Sequence, residues 1–140
     1  MQVEFFIPGQ PVSKGRPRFT VRPAKTGTFA RAYTPAKTRA YETTVAQYAK
    51  IAIRKPLDGP VRVDLVFTMP IPQSLSKTRQ KALIGQPHAK KPDLDNLIKS
   101  CFDPLNGIAW ADDSQVCELH ARKVYGETPG VLVRIQFLLD

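Results

Sequence analysis

The chain has 140 residues, 42% hydrophobic and 24% charged, enough for one domain that buries roughly two-thirds of its unfolded surface. Lys and Arg number 21 against 12 Asp and Glu, a formal net charge of +9, which favours a polyanionic partner, nucleic acid ahead of anionic membrane. No apolar run of about 18 residues exists, the N-terminus lacks the marks of a secretory signal, and Cys101 and Cys117 are too few and too badly spaced for a zinc site or a disulfide framework, so the expectation is a cytoplasmic protein with reduced thiols.

In chain order, Val3, Phe5 and Ile7 alternate with polar neighbours and predict a first strand ended by Pro8-Gly9. Residues 1–40 hold eight Lys/Arg and one acid, Glu4. From Gln10 to Tyr33 the reading is a long loop in which Lys14, Arg16 and Arg18 grip phosphates, with Phe19, Phe29 and Tyr33 interleaved. Its bland alternative is a solvated tail. Thr34-Pro35 predicts a helix start, and Tyr41, Val45, Tyr48, Ala49 and Ala52 carry that helix to about Arg54. Val61, Val63, Leu65, Phe67 and Met69 alternate as a half-buried strand. Residues 70–92 read as a second basic loop, in which Lys90 and Lys91 lead into an acidic stretch as further DNA contacts; His88 within it is more often a surface residue than a ligand.

After that stretch, Cys117, Leu119 and Ala121 alternate in a strand, Thr128-Pro129-Gly130 turns, and Val131 to Leu139 forms the last strand. The fold class expected is α+β: a single domain with a mixed β-sheet and two helices, in the order β-α-β-α-β-β.

The second of those helices carries the chemistry. Leu94, Leu97, Ile98, Cys101, Phe102 and Leu105 form the stripe of an amphipathic helix, stopped by Asn106-Gly107 with Pro104 in its last turn. Asp95, Lys99 and Asp103 border the stripe at intervals of four. One reading is an Asp–Lys–Asp ion-pair ladder worth a few tenths of a kcal/mol per pair. The other gathers acids around a dication. Asp93 is suited to capping the helix, and if the chain is extended through Asp95 the two acids share one side. Asp112 and Asp113 follow the run Ile108-Ala109-Trp110, and spacing does not say which of them faces the first pair. Trp110 reads as a core or hinge aromatic.

These residues resemble a known family. The segments K-P-D-L-D-N-L-x-K, D-x-L-N-G and W-x-D-D-x-Q-V within residues 91–116, with P-V-S-K-G-R-P-R at Pro11–Arg18, are similar to the RusA-type Holliday junction resolvases, the phage-type members in particular. Pro104, where an alanine is commoner, and the long basic N-terminal loop are departures. The resemblance implies a RusA-like endonuclease domain over residues 1–140. It implies a Mg²⁺-dependent crossover junction endodeoxyribonuclease, with Mn²⁺ as a substitute ion. Such an enzyme nicks four-way DNA junctions as a homodimer in DNA recombination and repair. Its catalytic and metal-holding carboxylates fall on Asp93, Asp95 and Asp113, and its active-site lysine on Lys99.

Overall fold

A computed structural model describes residues 1–14, 18–24, 27–33 and 35–139, the segments 18–24 and 27–33 by their backbone. Four strands form one mixed sheet: β1 (Gln2–Pro8), β4 (Val61–Pro70), β5 (Val116–Gly126) and β6 (Gly130–Phe137), in the spatial order β1-β6-β4-β5. β6 runs antiparallel to both β1 and β4, while β4 and β5 are parallel. Helices α1 (Ala36–Ala52) and α3 (Leu94–Leu105) pack together on one face.

The alternation read in β4 is the spine of that arrangement. Val61, Val63, Leu65 and Phe67 are fully buried and Met69 nearly so, because period-2 geometry sends all five to the helix-covered face. Val131, Val133 and Ile135 of β6 join them. From above come Leu97, Cys101 and Leu105 of α3 with Tyr41, Val45 and Ala49 of α1. Burial pushes the Cys101 thiol up to about 12, so it packs as a neutral apolar group.

β5 and β6 are joined by a short turn yet do not pair, because β4 lies between them. The link must cross the end of β4, and glycines at its two ends permit the crossing. A Cβ on Gly126 would run into the Thr68 side chain, and one on Gly130 into Phe6 and the carbonyl of Ile7.

The structure departs from the expected element order in two places. Where a loop was expected from Gln10 to Tyr33, Arg18–Ala24 (β2) and Gly27–Tyr33 (β3) pair as an antiparallel two-stranded sheet. Where a second loop was expected over 70–92, Lys77–Leu83 forms a short helix, α2, capped by the Ser76 hydroxyl accepting from the Arg79 amide. α2 buries no residue, so it has no apolar stripe for a sequence to display. Arg16, Lys25 and the expected cap Thr34 lie outside the described residues; α1 begins after Pro35.

Candidate active site

α3 starts where the sequence places it, with Asp93 at the N-cap in extended conformation (φ −70°, ψ 142°). Its carbonyl accepts the first helical bond, from the Leu97 amide at 3.2 Å. Its carboxylate makes no capping bond and instead faces the Lys91 ammonium at 3.2 Å. The extended chain ends at Asp93, since Leu94 is already helical. Asp95 therefore stands in the first turn, where the helix dipole favours an acid.

The ion-pair ladder does not form. Among the described residues the side chains of Asp95 and Lys99 have no hydrogen-bond or ion-pair partner, and Asp103 is taken by Lys14 at 3.1 Å. Lys14 also pairs with Glu42 at 2.7 Å, and its amide donates to the Asn96 carbonyl at 3.1 Å. Burial pulls the Lys14 pKa down, but the bonds to Glu42 and Asp103 outweigh it and leave the value raised. The lysine read as a phosphate contact thus ties the N-terminal segment to α1 and α3.

The doublet resolves by local hydrogen bonding. Asp112 caps a single 3-10 turn, Asp113–Gln115, by accepting from the Ser114 amide at 3.0 Å. Hydrogen bonding from Ser114, its side chain first and then this amide, holds the Asp112 carboxyl below its usual range. The Gln115 side-chain oxygen accepts from the Ala111 and Asp112 amides, and its NH₂ donates to the carbonyls of Leu57 (3.0 Å) and Gly59 (2.8 Å). One glutamine thereby fixes this turn to the segment that precedes β4. Asp113 is left half-buried, its carboxylate with no partner among the described residues, on a turn that packs against α3. Trp110 is fully buried, donates to the Asn106 side chain at 2.8 Å and meets Phe102 edge-on at 5.4 Å, the core role read from the sequence.

Beside Asp93 opens a basin of about 650 Å³ lined by His88, Lys90, Lys91, Arg122 and Lys123. Lys90 and Lys91 are exposed here, while the side chain of Arg18 lies outside the described residues. Sequence reasoning missed Arg122 and Lys123. The signal for Lys123 was present: it is in phase with Leu119 and Ala121, and a charge at an inward position of a strand needs a reason.

Carboxylates are hard oxygen donors of the kind Mg²⁺ takes. Among the described residues no three His, Cys, Asp or Glu side chains stand close enough together to hold an ion. Mg²⁺ ordinarily accepts one or two carboxylates and completes its shell with water and phosphate oxygens. The carboxylates of Asp95 and Asp113 are unused by other contacts among the described residues and so are available to such a shell.

A mixed sheet backed by two helices thus carries uncommitted acids and a lysine at α3 and the turn packed on it, and a basic basin that Asp93 lines. The match to known proteins makes this specific. The family model described as Endodeoxyribonuclease RusA covers residues 8–136, and the chain belongs to that family, whose members act on branched DNA junctions. It is also 37% identical over 142 aligned residues to a Bacillus subtilis (strain 168) protein described as Uncharacterized protein YqaN, covering 96% of this chain and 95% of the relative. No helix among the described residues is long and apolar enough to cross a membrane.

Proposed function

We propose that this protein is a Mg²⁺-dependent, structure-selective endodeoxyribonuclease that resolves four-way DNA junctions by paired nicks, in recombination and repair. The observation that carries the reading is that the side chains of Asp95, Lys99 and Asp113 are uncommitted among the described residues, with Asp93 lining a lysine-rich basin, in a chain of this family.

Asp93, Asp95 and Asp113, which form no ready three-acid site among the described residues, would close on the ion when DNA phosphate oxygens join its shell; Mn²⁺ would substitute. When bound, Mg²⁺ supplies an activated water and stabilises charge on the leaving oxygen. The chain's own part is to orient and neutralise. Lys99 Nζ, one turn beyond Asp95, donates to a non-bridging phosphate oxygen and offsets the charge that builds there. Lys90 and Lys91, with Arg16 and Arg18 from the N-terminal segment, hold flanking phosphates, Arg by its bidentate fork. A four-way junction has two symmetry-related scissile strands and each chain has one site, so a two-fold homodimer matches a two-fold substrate.

The test is nicking of a labelled synthetic four-way junction. The reading expects Mg²⁺-dependent cuts in opposing strands, little cutting of a linear duplex of the same sequence, and binding that weakens steeply with salt. Tight junction binding without nicking at any Mg²⁺ or Mn²⁺ concentration would make the protein a DNA-binding module instead.

A further inference from the structure

Lys123 commits its ammonium to main-chain carbonyls although it lines the basin. It stands in register with Phe67 of β4, a residue with 0% exposure, and registered neighbours of a parallel pair share a face. Its stem therefore lies on the helix-side face of the sheet, half-buried at the edge of the basin. Its partners are two main-chain carbonyls. Nζ donates to the oxygen of Pro92 at 2.6 Å and to that of Lys90. Hydrogen bonds from a charged donor are the stronger kind, and both of these fall on the three residues that immediately precede Asp93.

The rest of that approach shows why the grip matters. Residues 85–88 run antiparallel along the edge of β5: Gly85 donates to the Tyr125 carbonyl (2.8 Å), Tyr125 to Gln86 (3.0 Å) and His88 to Lys123 (3.0 Å), while the His88 ring leans on Tyr125 at 4.7 Å. From Ala89 to Pro92 this zipper stops. Among the described residues those four make no main-chain hydrogen bond to the sheet. Their tether to β5 is the Lys123 ammonium, and beyond them stands Asp93.

We propose that Lys123 is a positioning residue, holding the Lys90–Pro92 segment against β5 so that Asp93 is presented at the start of α3. The inference rests on the nuclease reading above. Groups that orient metal-holding residues from outside typically cost 10- to 100-fold in metal affinity or activity when removed.

The variants are Lys123→Met, which keeps the stem and loses the donor, and Lys123→Arg, which keeps a charged donor. ¹⁵N order parameters of the Lys90, Lys91 and Asp93 amides, in metal-free protein, report the tether directly. In Lys123→Met they should fall from rigid values near ~0.85 toward ~0.6. On junction DNA its kcat should drop about 10- to 100-fold with the junction Kd within about twofold of the parent, and Lys123→Arg should recover both readouts. Unchanged order parameters would overturn the proposal whatever happens to kcat. A loosened segment with unchanged kcat would do the same, and so would a loss confined to Kd, which would make Lys123 a phosphate contact. If Lys123→Met does not fold, Lys123→Leu, which likewise removes the donor, takes its place with the same outcomes. Should the parent protein itself fail to nick junctions, the nuclease reading fails separately, and the order parameters still decide whether the tether exists.

Discussion

The sheet face turned away from α1 and α3 and the mouth of α3 carry the same kinds of side chain and spend them differently. On the sheet face Glu4, Arg134, Asp64 and His120 lie in one cross-strand row of alternating type. Arg134 meets Glu4 at 3.0 Å, and Arg62 meets both Asp64 (3.0 Å) and Glu118 (3.6 Å). The Arg62 hydrogen bonds hold the Asp64 carboxyl below its usual range. Cross-strand pairs of this kind steady a sheet by small increments. At α3, by contrast, the side chains of Asp95, Lys99 and Asp113 have no partners among the described residues, although Asp95 and Lys99 stand at the i, i+4 spacing that pairs acids with lysines on helices. Charge that holds the fold is paired within the chain, and charge left unspent is available to a ligand.

The first way to break that contrast has the largest expected effect. Asp95→Asn should abolish junction nicking while leaving stability within about 0.5 kcal/mol of the parent, as for an exposed residue away from structural contacts. Urea unfolding and a nicking gel measure the two sides, and a variant that melts early and still cuts would make Asp95 a structural acid.

The doublet sharpens the contrast within adjacent residues. Asp113→Asn should lose cleavage and keep its melting temperature. Asp112→Ala should lower the melting temperature by roughly 3 °C, as expected for a lost cap in a chain of this size, and retain most cleavage. Exchanged phenotypes would reverse the assignment of the two acids.

His88 gives a smaller effect with a defined sign. Burial holds its pKa below the ordinary value, with the Lys123 and Lys90 charges adding to the shift. The unfolded chain then binds the proton more readily, so the contribution is present above about pH 6.5 and is lost as pH falls through the lower folded value. Urea midpoints at pH 7.5, 6.5 and 5.5 should decline toward acid by less than the capping variant loses, and His88→Gln should flatten that component. A parent and a variant with the same slope would remove His88 from the account. Smallest of all, Glu4→Gln should cost under about 1 kcal/mol, as for any exposed pair, and leave nicking untouched.

How far the sequence reached follows from the same physics. β4 and α3 were legible because each buries a continuous face, so period 2 and period 3.6 are written into their apolar residues. β2 and β3 were not: Phe19 and Val21 do alternate with Arg18, Thr20 and Arg22, but the run is short, ends at Pro23 and lies among basic residues that read as a loop, and the pair forms a separate sheet rather than a strand of the main one. α2 escaped for want of a buried face. At the site, spacing identified the acids but could not separate Asp112 from Asp113, because that choice depends on which carboxylate the Ser114 amide engages. Lys14 was read as a phosphate contact from its basic neighbours, whereas its partners Glu42 and Asp103 come from two other elements that only the fold brings to it.

Mn²⁺ binding in the presence of junction DNA, followed by the electron paramagnetic resonance signal of the free ion, tests the division between spent and unspent charge most directly. The account expects Asp95→Asn and Asp113→Asn to lose the bound ion, while Asp112→Asn and Glu4→Gln bind it as the parent does. Equal Mn²⁺ affinity in all four variants would contradict it.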